Sequence, residues 1–569
     1  MTARAGVYDD VINTGDGNDR VTTGRGRDVA NGGNGTDTLV MDWSGMVPSA
    51  PGANDIVFSN QGSNWNRFAT LDGDQLDFYG FERFNLTGAG GNDNLQGGND
   101  FDTLIGNGGN DTLHSGMGGG VADGGSGTDL WQANLSNRGA RLFFNAAESQ
   151  STSQLTNVGL DVRNIEQVNL TTAWGADRID MSGYALNDTI YTNDGDDWIA
   201  SGLGFDNVNG GNGTDLLYLD YSGLSSAITT VYAGYSWNRY GDLDGTSSVD
   251  YYSIERFSIR GGSADDYLEG GALSDTLIGN DGDDVLDGGA GNDRIFGNAG
   301  NDTFIANYAS ELGNLTITTN AWGSGSVTGV GTKFYGIENI MVTTGSGADT
   351  INLSARTGDD TVSSGSGDDY VAMGTGLFES ADGGSGFDTL QASAALAQGG
   401  VQMSYAGYSW YVLSDNSNSY ELRYTGFERF DLTGSAYNDR LTGTNNDDTL
   451  SGGAGIDILE GGVGDDLLTG GADMDMFLFS TPGNSGEDTI TDFGTSDFLR
   501  ISGETLDSSI TVGGGAALGE GEIQIWNTGG NTRVFIGTDS TAGYDLSIWL
   551  EGTYGTSDFN VVGSDIFFV

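Results

Sequence analysis

The sequence predicts an all-β solenoid built from tandem modules, and three observations carry that prediction. An aspartate recurs every nine residues in blocks along the chain. Each stands in a Gly-rich turn and is followed two places later by an apolar residue, as in GNDGDDVLD-GGAGNDRIF-GNAGNDTFI. The blocks themselves recur with a period near 173 residues. A fixed step of nine with Gly, Asp and an apolar residue in phase marks a metal-binding turn followed by a short β-strand. Gly and Asp are ordinary turn residues, which accounts for composition but not for the step. Gly or Asn interrupts nearly every window of ten, and apolar residues alternate, so helix is not expected.

The blocks, in chain order, are six. The first holds Asp19, Asp28 and Asp37; the second Asp93, Asp102, Asp111 and, after a missed beat at Gly120, Asp129. The third holds Asp188, Asp197, Asp206 and Asp215, and the fourth Asp266, Asp275, Asp284, Asp293 and Asp302. The fifth has Asp360 and Asp369, then Phe378 where an Asp would fall, then Asp388 one residue late. The sixth is regular: Asp439, Asp448, Asp457, Asp466 and Asp475. Glycines allow tight loops with inward carbonyls, and Asp adds a hard anionic oxygen. Calcium takes six to eight such oxygens, so one turn cannot hold it and two stacked turns can. These 24 aspartates are the candidate metal ligands; at Gly120 and Phe378 no ion, or a weaker site, is expected.

These residues resemble the hemolysin-type, repeats-in-toxin (RTX) calcium-binding family. The resemblance implies a parallel β-roll in which two nonamers make one coil and calcium ions line both sides of the stack. It implies side-chain ligands from the Asp residues above and carbonyl ligands from the Gly-rich turns. The family includes proteases, lipases, toxins, adhesins and surface-layer proteins, so the repeat implies a scaffold and leaves the activity open.

Composition agrees with a metal-dependent fold. The formal charge is −59, and Asp and Glu number 80 against 21 Lys and Arg. Such a chain repels itself until cations neutralise it, and on the order of 20 calcium ions would cancel most of the charge. It has no basic patch for nucleic acid. There are no cysteines, hence no disulfides. The N-terminus shows no apolar signal region and no run approaches a membrane span, so no transmembrane helix is expected. The final stretch Ser564-Asp565-Ile566-Phe567-Phe568-Val569 resembles the uncleaved C-terminal signal of RTX proteins exported by type I secretion; a last core strand is the plain alternative.

Between blocks lie β-rich spacers, each closed by an anchor: Phe81-Glu82-Arg83-Phe84, Ile165-Glu166-Gln167-Val168, Ile254-Glu255-Arg256-Phe257, Ile337-Glu338-Asn339-Ile340 and Phe427-Glu428-Arg429-Phe430. Glu82, Glu255 and Glu428 are 173 apart, and Glu166 and Glu338 are 172 apart, so two module types alternate. This predicts a truncated array at 1–45, then spacer-plus-array modules at 46–135 (type A), 136–220 (type B), 221–305 (A), 306–392 (B) and 393–475 (A). A C-terminal β cap follows at 476–569, with strands at 532–536, 545–550 and 565–569. The spacers read as strands; whether they continue the solenoid or form separate β-sandwiches is open at this level. Their equal lengths favour one continuous, elongated rod.

No catalytic constellation stands out. His114 is the only histidine and Lys333 the only lysine. This leaves no usual zinc site, no Gly-x-Ser-x-Gly elbow and no phosphate loop. The repeated Glu-Arg of the anchors reads as a structural ion pair, and Trp65, Trp237 and Trp410 as module core or, alternatively, sugar-stacking rings. The expectation is a secreted, extracellular, cell-surface calcium-binding structural protein that self-assembles into a surface layer, filament or adhesin, and no enzyme. The alternatives are a carbohydrate-binding adhesin array contacting surface polysaccharide, or the export and folding region of a secreted enzyme.

Overall fold

A computed structural model describes the chain except residues 1, 5–6, 63–64, 138–140, 147–152, 156–158, 233–237, 408–409, 481–485, 515–517, 540–543 and 569. For residues 2–4, 62, 153–155, 231–232, 405–407 and 410 only the backbone is described. There are two compact units, Met1–Gly282 and Asp283–Val569, a division that falls inside the fourth block. The fold is all-β, and no described residue is in an α-helix.

In the first unit, Arg20–Thr23 lies parallel to Thr38–Asp42, which lies parallel to Arg83–Thr87. Asp102–Gly108 and Gly120–Ser126 continue that sheet. The intervening strands Asn94–Gln96, Thr112–Gly116 and Leu130–Asn134 build a second parallel sheet. Asn94 stands beside Thr112, and Thr112 beside Leu130. The register step is therefore 18 residues, two nonamers per coil, as the β-roll requires. Strands are short because each nonamer spends its glycines on a turn. The residue two places after each aspartate points inward: Leu95, Leu104, Leu113, Ile190, Ile199 and Leu217 are wholly buried. Each such burial contributes about 1.5–3 kcal/mol, so a thin core is assembled one side chain per turn.

The spacers continue the coils. In type A, Val57–Gly62, Trp65–Ala69 and Gln75–Tyr79 form an antiparallel meander, whose last strand returns parallel to Arg27–Asn31. The same arrangement recurs at Ile228–Tyr232, Asn238–Asp242 and Ser248–Tyr252, and again at Val401–Gly407, Trp410–Asp415 and Glu421–Thr425. In the second unit the type B spacer Thr316–Thr319, Gly325–Thr328 and Lys333–Tyr335 places both outer strands in the roll, beside Thr350–Asn352 and Arg294–Ala299. A spacer is thus a coil enlarged by one or two edge strands. Trp65 is half-buried with its ring 4.1 Å from that of Tyr79; the side chains of Trp237 and Trp410 lie outside the described residues.

The C-terminal segment ends the parallel stack of the second unit. Glu487–Ile490 lies parallel to Leu467–Ala472 and to Leu546–Leu550, and Asn531–Ile536 runs antiparallel to the latter. Asp565–Phe568 runs antiparallel to Phe498–Ile501. Arg500 grips Asp565 with two bonds of 2.7 Å, and Ile566 is wholly buried. Strands thus stand at Asn531–Ile536, Leu546–Leu550 and Asp565–Phe568, with residue 569 outside the described residues, and antiparallel pairing occupies strand edges there.

Candidate metal centre

The aspartates of each block form hydrogen-bonded ladders along the roll. In the second block the Asp93 amide donates to Asp111 Oδ1 at 2.7 Å, and the Asp111 amide to Asp129 Oδ1 at 2.7 Å. The same step joins Asp19 to Asp37, Asp188 to Asp206, Asp197 to Asp215, Asp284 to Asp302 and Asp369 to Asp388. In the sixth block two ladders interleave, Asp439 to Asp457 to Asp475 and Asp448 to Asp466. Asp28 accepts from the Asp10 amide, Asp266 from Ile228, Asp275 from Phe257, Asp102 from Phe84 and Asp360 from Ile340. The Asp293 amide donates to Thr332 Oγ1. All 24 candidates are buried except Asp19, which is half-buried.

The anchors prove to be the ends of these ladders, which corrects the ion-pair reading. Glu82 Oε2 accepts the Asp37 amide at 2.8 Å. Glu166, Glu255, Glu338 and Glu428 likewise accept from Asp129, Asp215, Asp302 and Asp388. The neighbouring Arg83 instead faces Asp100 at 3.8 Å, and Arg256 donates to the Ser274 carbonyl. Each anchor is also a beginning, since the amide of Phe84 opens the next ladder at Asp102.

Members that the step of nine missed also emerge. Asp177 and Asp349 accept from Leu142 and Leu315 and donate to Asp197 and Asp369. Asp488 and Asp497 extend the sixth block by accepting from Asp466 and Asp475. At Phe378 no beat is missing: Glu379, buried, accepts the Asp360 amide at 3.1 Å, and Ala381 fills the core position two places on. One residue has been inserted before it, so Asp388 is on time. At Gly120 the beat is truly absent, because the Asp102 amide donates to the Gly119 carbonyl instead.

The second carboxylate oxygen separates two kinds of turn. At Asp93, Asp102, Asp266 and Asp275, Oδ2 accepts an amide from four residues earlier, Gly98 to Asp102 at 2.7 Å for example. Asp439 and Asp448 are capped the same way by Ser435 and Thr444. At Asp37, Asp111, Asp129, Asp197, Asp215, Asp302, Asp369, Asp388, Asp457, Asp466 and Asp475, Oδ2 is buried with no hydrogen-bond partner. So it is at Asp28, Asp177, Asp188 and Asp349. The backbone four residues earlier decides between the two in the second block. Asn107, before Asp111, has φ 77°, and Gly125, before Asp129, has φ 101°. That left-handed turn swings the amide away from the carboxylate, whereas Gly98 keeps φ negative or extended and caps it.

The open turns have the chemistry of a calcium cradle. A Cβ on Gly106 would stand 2.0 Å from Asp111 Oδ2 and 2.5 Å from the Gly124 carbonyl. A Cβ on Gly297 would stand 2.3 Å from Asp302 Oδ2 and 2.1 Å from the Gly336 carbonyl. Carboxylate and carbonyl oxygens of successive coils thus converge where only glycine leaves room, as they also do at the capped turns (Gly88 against Asp93 Oδ2 and the Gly106 carbonyl). What sets the open turns apart is the unbonded Oδ2, and hard oxygens are what calcium selects. No described group of three or more His, Cys, Asp or Glu side chains could hold a metal by itself, so carbonyls must share the coordination. Burial pushes the carboxyls of Asp111 and Asp188 up to about 8, and those of Asp215, Asp388 and Asp457 up to about 7. Neighbouring carboxylates add to the rise. His114 is half-buried on its strand, with its imidazole held below the usual range by burial.

Comparison with known proteins agrees with this geometry. The model of the RTX calcium-binding nonapeptide repeat matches residues 4–39, 87–122, 182–218, 258–277, 269–304, 343–377, 431–459 and 442–477. These stretches hold the candidate aspartates other than Asp129 and Asp388, and in them the chain carries RTX repeats of the calcium-binding type. No curated protein sequence matches the chain. Among solved structures, the extracellular lipase LipA from Serratia marcescens is similar at 17% identity over 56% of this chain and 42% of the lipase, with a TM-score of 0.15. The chain thus spans under half the length of that enzyme. Among the described residues no helix is long and apolar enough to cross a membrane.

Proposed function

We propose that this is a secreted, calcium-folded structural protein that self-assembles at the bacterial cell surface, as a layer, filament or adhesin, and that it is not an enzyme. Its ligands are the candidate aspartates of the open turns, joined by Asp177 and Asp349. The observation that carries the reading is the row of buried, partnerless carboxylate oxygens. A buried charge without a partner costs several kcal/mol, so the roll needs a divalent cation to be stable at neutral pH. When bound, calcium supplies that charge and ties adjacent coils together.

Weak extracellular-type sites of about 10⁻⁴–10⁻³ M would leave the acidic chain unfolded in the cytosol and threadable for type I export. Outside the cell it would fold from coil to coil. Assembly is supported by apolar rings at one repeated turn position: Phe101, Phe205, Phe378 and Phe387, each immediately before a ladder acid, are exposed. The carbohydrate-binding alternative loses weight at Trp65, whose ring is already engaged with Tyr79. Sedimentation velocity with and without millimolar calcium tests the proposal. Large calcium-dependent species are expected; a monomer under both conditions would remove the assembly claim.

A further inference from the structure

One turn already contains a cation of its own. Arg356 stands four residues before Asp360, the place occupied by glycine or asparagine in most open turns. Its side chain is 2% exposed. Nε lies 3.1 Å from Asp360 Oδ2, and Nη2 donates to the Ile337 carbonyl at 3.0 Å. The guanidinium therefore touches one carboxylate and one backbone carbonyl, the pair of oxygen types that converge in the open turns. A second buried carboxylate, Glu379, accepts the Asp360 amide across the same turn.

The equivalent turn one full period earlier lacks this cation. Asp188 and Ile165 stand 172 residues before Asp360 and Ile337, and Tyr184 takes the place of Arg356. The Tyr184 hydroxyl reaches to the Ala146 carbonyl at 3.4 Å, and Asp188 Oδ2 is left buried without a partner. Two turns of the same module type, with the same backbone role, thus differ in whether positive charge is built in.

We propose that Arg356 occupies the calcium position of the Asp360 turn, so that this turn takes no ion while its counterpart at Asp188 does. Entry of calcium would place a divalent charge against a buried guanidinium, or force the guanidinium out of its ion pair with Asp360, and either is costly in a desolvated site. The inference rests on the calcium reading of the repeats given above.

Anomalous scattering at long wavelength from crystals of the calcium-loaded full chain tests it site by site. Wild type is expected to show a calcium peak at the Asp188 turn and none at Asp360. Arg356→Gly, and separately Arg356→Gln in case the glycine variant does not fold, are each expected to gain a peak at Asp360. A wild-type peak at Asp360, no peak at Asp188, or no gain in a folded variant would overturn the inference while leaving calcium elsewhere in the roll intact. No calcium peak at any turn would instead remove the calcium reading itself, and this inference with it.

Discussion

Asp102 and Asp111 sit in consecutive nonamers of one block, share the motif letter for letter at the acid, and are different sites. Asp102 has both oxygens bonded to backbone amides, whereas Asp111 has one bonded and one stranded. The same division separates Asp448 from Asp457. The first two beats of each type A block are capped and the later ones that lack a partner are open. An aspartate in phase therefore does not by itself make an open turn. The backbone four residues earlier must also turn its amide away.

The comparison can be broken most forcefully at its acids. Asp457→Ala removes an open turn from the middle of a regular ladder and should raise the calcium midpoint of folding several-fold. Asp448→Ala, in a capped turn, should lower stability by about 1–3 kcal/mol through lost buried hydrogen bonds with little change in the number of ions bound. Calcium titrations followed by circular dichroism distinguish the two, and equal midpoint shifts would erase the distinction.

Proton binding sharpens it next. With the Asp111 and Asp188 carboxyls raised to about 8 in the fold and near the ordinary aspartate value when unfolded, the calcium-free fold holds protons that the unfolded chain releases. The stability from this source is present in full below about pH 4 and is lost as pH rises through about 8. In chelator, the chain that is unfolded near pH 7.5 should therefore regain β structure when the pH is lowered to 5.5. In millimolar calcium that trend should flatten, because calcium then takes the place of the proton. Far-ultraviolet circular dichroism at pH 5.5 and pH 8, with chelator and with calcium, checks both statements, and a β signal in chelator that rises toward pH 8 would contradict them.

A smaller effect is expected at the ladder ends. Glu82→Ala leaves the Asp37 amide buried without an acceptor and should cost about 1–3 kcal/mol. Glu82→Gln retains an acceptor oxygen and should be close to neutral. Equal losses in denaturant unfolding would show that the glutamate charge matters, as an ion pair would require.

Much of this was legible in the sequence because nine-residue repetition maps directly onto coils. The step placed most candidate aspartates in the turn before a strand, with Asp28, Asp102 and Asp206 at the start of one, and the residue two places later, such as Leu104 or Leu459, in the core. What stayed hidden depends on pairing across variable lengths. Asp177 reaches Asp197 over 20 residues, and Asp488 serves Asp466 over 22. Insertions at the loop edges leave the sheet register intact while putting the count out of phase. Glu379 was masked both by such an insertion and by the change of residue type. The anchor glutamates were visible as a repeat, but their partners are main-chain amides some 36–45 residues away, and a backbone partner leaves no residue signature.

The central claim is that the roll is held by calcium in its open turns. Far-ultraviolet circular dichroism of the full chain, dialysed against chelator and then titrated with calcium at pH 7.5, tests it directly. The account predicts an unfolded spectrum in chelator and a cooperative gain of β signal at about 10⁻⁴–10⁻³ M calcium. A β spectrum in chelator that calcium leaves unchanged would contradict it.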